Sequence, residues 1–521
     1  MSASPHRLNS QQPGQSAYRR PYHNPGKLLR VIFAGAFGAF LGLTLLKFGN
    51  PPIMEKWVTT PANIYEFMFG YPWPISWAWC LLVIVVLLGL FCAKWNPHAP
   101  RWLLVLPLIW FGWQCVAATQ SLDPELTRAT LKHFAVCILC FYLGLFSLPN
   151  TQHFGTFVAG IFCGFTLVLA MGIDQHFGGL AEYRRAFFEG IYVYHHSYSP
   201  EFLKKISSDR IFSTLFYPNV LAGVVLLLFP VLLAEVRGWR DSFRTAPGWL
   251  AILALVFLGT MAAWLYSTNS KAGLGWFLLL GLASLTAGPK WFLALILGSG
   301  SLATLYWSGS KGGWLLMLFL GSLALLRLPL AKKFKLVLAL GVLVAGLTGF
   351  FWKYSGFFQK GATSVSARFD YWRAALQTTK AHPLFGTGPG TFFIAYEAVK
   401  RPESEPSRLV HNDFLEQASD SGLVGFLSYA TLIIGALAWT FKTSVYTPKA
   451  ANPDLATDVD HEQWRRFAVW LGLLGWSLQS LGEFGLYIPA VAWLGFAFFG
   501  WLIATSSSFM LNRIDTPASA P

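Results

Sequence analysis

Charge is what this chain has least of. Only 12% of its 521 residues are Asp, Glu, Lys or Arg, while 54% are hydrophobic. A soluble domain carries about 25% charged residues. A chain so poor in charge has no way to cover a water-facing surface, which excludes an ordinary soluble globular protein. Lipid is the solvent that removes the need for such cover. Acidic residues are the scarcer sign, 24 against 39 Lys and Arg, and the formal net charge is +15. The basic residues sit in short loops between apolar runs rather than on one domain, which argues against nucleic acid as a partner. Cysteine is also sparse. The six cysteines, Cys80, Cys92, Cys115, Cys137, Cys140 and Cys163, lie in or beside apolar stretches without recruiting histidine at metal-ligand spacing. They read as packing residues. Residues 1–27 contain no apolar core, so they predict a disordered cytoplasmic arm rather than a cleavable signal peptide.

What is abundant is long apolar sequence and aromatic side chains, with 23 Trp and 45 Phe, the composition expected of rings placed in belts at both membrane interfaces. Runs of about 20 apolar residues mark spanning helices. About 14 candidates occur, and several are short, which predicts an all-α polytopic membrane protein with about 12–14 transmembrane helices. The candidates include Leu29–Leu46, Ile75–Ala93, Trp102–Ala118, Thr130–Leu148, Gly155–Ile173, Pro218–Val236, Trp249–Tyr266 and Ala272–Ala287. Further along come Trp291–Trp307, Gly312–Leu328, Leu336–Trp352, Ser421–Phe441, Phe467–Leu481 and Ile488–Ala504. With the N-terminus inside, the loops bearing Arg237, Arg240, Arg244, Lys290, Arg327, Lys332, Lys333, Lys335, Lys442, Arg465 and Arg466 all fall on the cytoplasmic side, as positive-inside topology requires. The predicted layout is a cytoplasmic arm (1–27), N-terminal spans (28–173), a first outward loop (174–217) and central spans (218–353). A large outward loop (354–420), C-terminal spans (421–506) and a cytoplasmic tail (507–521) complete it.

The spans hold almost no ionisable residue at mid-depth, which argues against an ion-coupled pump or carrier. Polar chemistry gathers in the two outward loops instead. In the second, Phe369, Trp372, Arg373 and Leu376 recur at helical spacing, and Pro383 ends that helix. Gly386-Thr-Gly-Pro-Gly390 then makes a tight turn, suited either to close packing or to an anion approaching freed backbone N–H groups. Next, His411, Phe414, Leu415 and Ala418 fall on one face if the segment is read as a helix. His411 is then either a hydrogen-bonded histidine at the membrane junction or a general base. In the first loop, Arg210 either snorkels and pairs with Asp209 or clamps phosphate in a bidentate grip. An internal repeat places Ser270-Lys271 and Ser310-Lys311 at two equivalent outward turns. Those lysines either reach for the interface or bind an anionic group.

Together these segments resemble the O-antigen ligase/polymerase superfamily of bacterial envelope glycosyltransferases. The resemblance is carried by His411-Asn412-Asp413-Phe414-Leu415 with Asp420-Ser421-Gly422, and by Arg368 and Trp372 followed by Pro383-Leu384-Phe385-Gly386-Thr387-Gly388-Pro389-Gly390. It is carried also by Arg210, Ser213, Pro218-Asn219 and Ala222-Gly223, and by the two Ser-Lys turns. The resemblance implies transfer of a glycan from a polyprenyl (undecaprenyl) diphosphate carrier to an acceptor hydroxyl at the periplasmic face of a bacterial inner membrane. It implies Arg210, Arg368 and His411 as the catalytic group, with Lys271, Lys311, Asn412 and Arg408 as substrate contacts, no metal and no cofactor. The acceptor left open is lipid A–core, another glycan or a protein hydroxyl, the last making a protein O-oligosaccharyltransferase. The alternative from another class is a lipid-linked glycan flippase, which needs a polar path through the bundle.

Overall fold

The computed structural model describes residues 25–514 apart from 69–71, 96–98, 192–202, 204–205, 239–288, 329, 360–362, 403 and 446–455. The described residues are helical and contain no strand, so the chain is an all-α polytopic membrane protein. Nine of their helices are long and apolar enough to cross a membrane, and Ala294–Trp307 and Lys311–Leu326 are shorter apolar helices. The predicted spans Trp249–Tyr266 and Ala272–Ala287 lie outside the described residues. So does the first copy of the repeat with Lys271.

Burial sorts the spans. Pro489–Ser508 is the central one, with 94% of its apolar window buried inside the protein, whereas the Lys332–Gln359 helix buries 11% and presents apolar side chains outward. Such a surface is stable only against hydrocarbon. Lipid gives apolar helices little reason to associate, so close backbone packing supplies the contact. Pro25–Lys47 and Phe154–Asp174 meet in this way. Gly42 and Gly164 face each other so closely that a Cβ on Gly164 would stand 2.1 Å from the Gly42 carbonyl oxygen.

The two long loops predicted to face outward contain helices. Thr363–Ala381 and Phe392–Val399 lie in the second, and Leu180–Ala186 in the first. The helix expected to begin the final group continues from Asp413 to Val445, with one break in helical geometry at Gly422. His411 is not part of it. Its backbone is left-handed, φ 56°, just ahead of the helix. The expectation that it heads a helical stripe therefore gives way to a histidine on the approach to the helix. Asn412 is the reason, because its Oδ1 accepts from the N–H groups of Phe414 and Leu415 and caps the helix at Asp413.

The glycine-rich turn has a packing role. The N–H of Thr387 donates to the Ser419 carbonyl, that of Gly388 to the Asp420 carbonyl, and that of Gly390 to Asp420 Oδ2. These amides are thus spent on the Asp413–Val445 helix. This turn and the Asp420-Ser421-Gly422 segment, two separate parts of the sequence pattern, are one packed unit.

Candidate active site

Arg210 precedes the Pro218–Gly238 helix. Its Nε donates to the Ser308 carbonyl at 2.7 Å and its Nη2 to Asn219 Oδ1 at 2.7 Å. Asp209 pairs with Arg184 instead, at 2.8 Å, so the Asp209–Arg210 pair considered from sequence does not form. The turn holding Arg210 belongs to the second copy of the repeat. Gly309 is left-handed and leaves room for the guanidinium, since a Cβ there would lie 3.2 Å from Arg210 Nε. Ser310 Oγ caps the following helix by accepting from the Gly313 N–H. The Ser-Lys pair is therefore a capping serine followed by the first helical residue, with Lys311 set beside the arginine.

The contacts of Asn219, Arg368 and His411 converge on a residue that sequence reasoning did not select, Glu483. Asn219 Nδ2 donates to Glu483 Oε1 at 2.6 Å. Arg368 forms an ion pair with the same oxygen and donates from Nε to the Gly482 carbonyl at 2.9 Å. His411 Nδ1 lies 3.3 Å from Glu483 Oε2. Glu483 sits in the short connection between the last two helices, held by the His411 segment. The Asp413 N–H donates to the Ser480 carbonyl, Asn412 Nδ2 to the Leu481 carbonyl, and the Leu486 N–H to Asp413 Oδ2. An isolated acid after a glycine in a connection between apolar helices was the available signal, and it is a weak one.

Positive charge predominates around Glu483. Burial pushes the Glu483 carboxyl up, but the His411 hydrogen bond and the Arg368 charge outweigh it and hold the carboxyl below its ordinary value. Burial pulls Arg210 down from its ordinary value, with Glu483 opposing and Arg368 adding to the shift. Arg210 and Arg368 both bear on Lys311, whose ammonium lies over the Phe357 and Tyr354 rings at 4.0 and 5.0 Å. Among the described residues, one carboxylate thus faces three cations. An ionised carboxylate only accepts, so it sets the His411 proton on Nδ1 and leaves Nε2 as the basic nitrogen. Nε2 makes no hydrogen bond among the described residues. The ring is held by Phe484 edge-on at 4.7 Å and Tyr371 stacked at 5.7 Å.

The structure therefore brings Arg210, Arg368, His411 and Lys311 together. Asn412 adjoins them, but both of its polar side-chain atoms are engaged in the cap and the Leu481 contact. Arg408 stacks on Trp57 at 4.6 Å and Phe393 at 5.7 Å rather than joining the Glu483 contacts.

Two similarities to known proteins bear on this site. Residues 293–430 match the family model described as O-antigen ligase. The stretch includes Lys311, Arg368 and His411, while Arg210 and Glu483 lie outside it. An uncharacterized protein of Haemophilus influenzae is 28% identical over 174 residues, which cover 29% of this chain and 43% of that protein. The chain thus spans less than half the length of this relative.

Proposed function

From the match of residues 293–430 to the O-antigen ligase family model, we propose that the chain transfers a glycan from a polyprenyl diphosphate carrier to an acceptor hydroxyl at the non-cytoplasmic membrane face. The observation that carries this reading is the gathering of Arg210, Arg368 and His411 around Glu483 from distant parts of the chain.

The chemistry follows from the charges. Arg210, Arg368 and Lys311 bind the diphosphate. As the bond between the anomeric carbon and the diphosphate oxygen breaks, the electron pair stays on that oxygen. Fixed cations stabilise the charge that grows there. His411 Nε2 takes the proton of the acceptor hydroxyl as its oxygen bonds to the anomeric carbon. The imidazolium so formed keeps its Nδ1–H on Glu483, whose negative charge stabilises it. The products are the glycosylated acceptor and the polyprenyl diphosphate.

A lipid A–core sugar, another glycan chain and a protein Ser or Thr all present the hydroxyl this mechanism needs. The resemblance favours the ligase and polymerase acceptors. Purified protein with a defined lipid-linked donor and a panel of acceptors tests the proposal, since transfer that requires both substrates supports it and transport without transfer opposes it.

A further inference from the structure

The far end of the bundle carries a second cationic cluster. Asn219 belongs to the active site, and Arg237 follows it by 18 positions on the same Pro218–Gly238 helix. At about 1.5 Å per residue that is roughly 27 Å, close to the thickness of a bilayer core. The Ala456–Gln479 helix spans the same distance, with Gln479 bonded to the Asn219 carbonyl at one end and Asp460 bonded to Arg237 at the other. The second cluster therefore lies at the opposite headgroup level.

Trp464 is its platform. The Arg237 guanidinium lies 4.7 Å from the ring and that of Arg327 5.0 Å, and Arg327 also covers Phe467 at 4.4 Å. Arg237 pairs with Asp460 at 3.0 Å and keeps an open edge, its side chain being 44% exposed. Arg327 donates from Nη1 to the Ser444 carbonyl. Two buried donors remain without a hydrogen-bond partner among the described residues, Arg327 Nη2 and the neighbouring Ser444 Oγ. The charges of Asp460, Arg466 and Arg237 all act on Arg327. Lys335 adds its ammonium nearby, bonded to the Leu326 carbonyl at 3.1 Å. The nearby Arg465 is already neutralised, in a two-point contact with Glu235 at 2.7 and 2.8 Å.

Buried donors without acceptors call for a missing partner; Glu235 and Glu462 act on Arg465 and Arg466, and Asp460 is the carboxylate that acts on both Arg237 and Arg327, so the partner that fits is an anion. We propose that Arg237 and Arg327, on the Trp464 platform, bind the phosphate of an anionic membrane lipid at the end of the bundle opposite His411. The headgroup phosphate sits at this depth. The outward-facing apolar surface of Lys332–Gln359, which begins beside the cluster, takes the acyl chains.

The test is native mass spectrometry of the full-length purified protein in detergent, with phosphatidylglycerol, phosphatidylcholine or inorganic phosphate added separately. The protein should retain phosphatidylglycerol over phosphatidylcholine. That preference should fall about fivefold for each of Arg237→Gln and Arg327→Gln. Inorganic phosphate alone should neither bind stably nor displace the lipid. Equal retention of the two lipids, or a preference unchanged in both variants, overturns the proposal. Displacement by inorganic phosphate overturns the lipid assignment in favour of a free-phosphate site. Arg237 is half-exposed, so its variant keeps the test decisive should Arg327→Gln fail to fold.

Discussion

Arg368 and Glu483 lie 115 positions apart and form an ion pair at the centre of the candidate site, on a carboxylate that also meets Asn219 and His411. This pair ties the long 354–420 loop to the connection between the last two helices. It also leaves the guanidinium of Arg210 and the ammonium of Lys311 without an equal share of negative charge.

Replacing Glu483 by Gln keeps an acceptor for His411 but removes the charge that stabilises its imidazolium. The turnover rate should fall by about 100-fold or more. The apparent KM for the lipid-linked donor should stay the same or fall, because a more positive pocket holds a diphosphate at least as well. Steady-state kinetics with purified donor separates the two parameters. A raised KM with unchanged turnover would assign Glu483 to donor binding.

The same carboxylate sets a pH dependence. Its folded value lies below the ordinary value of 4.5, so its ionised form stabilises the fold above pH 4.5. That contribution is lost as pH falls through the folded value. Thermal unfolding in detergent should show wild type more stable than Glu483→Gln at neutral pH. The gap should persist down to about pH 5 and close below about 4.5. A gap that closed on raising the pH would contradict the assignment.

Gly422 has φ 69°, and a Cβ there would stand 2.1 Å from the Leu384 carbonyl oxygen. Gly422→Ala should lose about 1–3 kcal/mol from the backbone conformation alone. The overlap should force the Pro383–Gly390 turn off the helix. Reduced thermal stability together with reduced transfer is the expected pairing. Wild-type stability would show that the turn is not clamped there.

Lys311 and Ser310 separate binding from capping. Ser310→Ala should cost about 1 kcal/mol of stability and leave donor affinity nearly intact. Lys311→Ala should weaken donor binding about tenfold or more with little change in melting temperature. Titration with the lipid-linked donor reads one effect and thermal unfolding the other. Lys271→Ala provides the comparison for the other copy of the repeat.

The membrane character was legible because apolar length and charge scarcity are properties of composition. The helix Thr363–Ala381 was legible too, since Phe369, Trp372 and Leu376 recur at helical spacing and Pro383 stops the run. Arg210, Arg368 and His411 were selectable because each sits in a short motif. Glu483 was not, because a single acid in a connector is meaningful only once Arg368 and His411 arrive from elsewhere. His411 was placed on a helix because its spacing to Phe414 and Leu415 is helical, but the Asn412 cap starts the helix later. The glycine turn left two uses open, which only the partners of its N–H groups separate.

The most direct measurement is the initial rate of glycan transfer by purified His411→Ala with a defined lipid-linked donor and a competent acceptor. The account predicts a rate at least about 100-fold below wild type, from a protein that still inserts in the membrane and purifies as a single species. A His411→Ala variant that transfers glycan at the wild-type rate would contradict it.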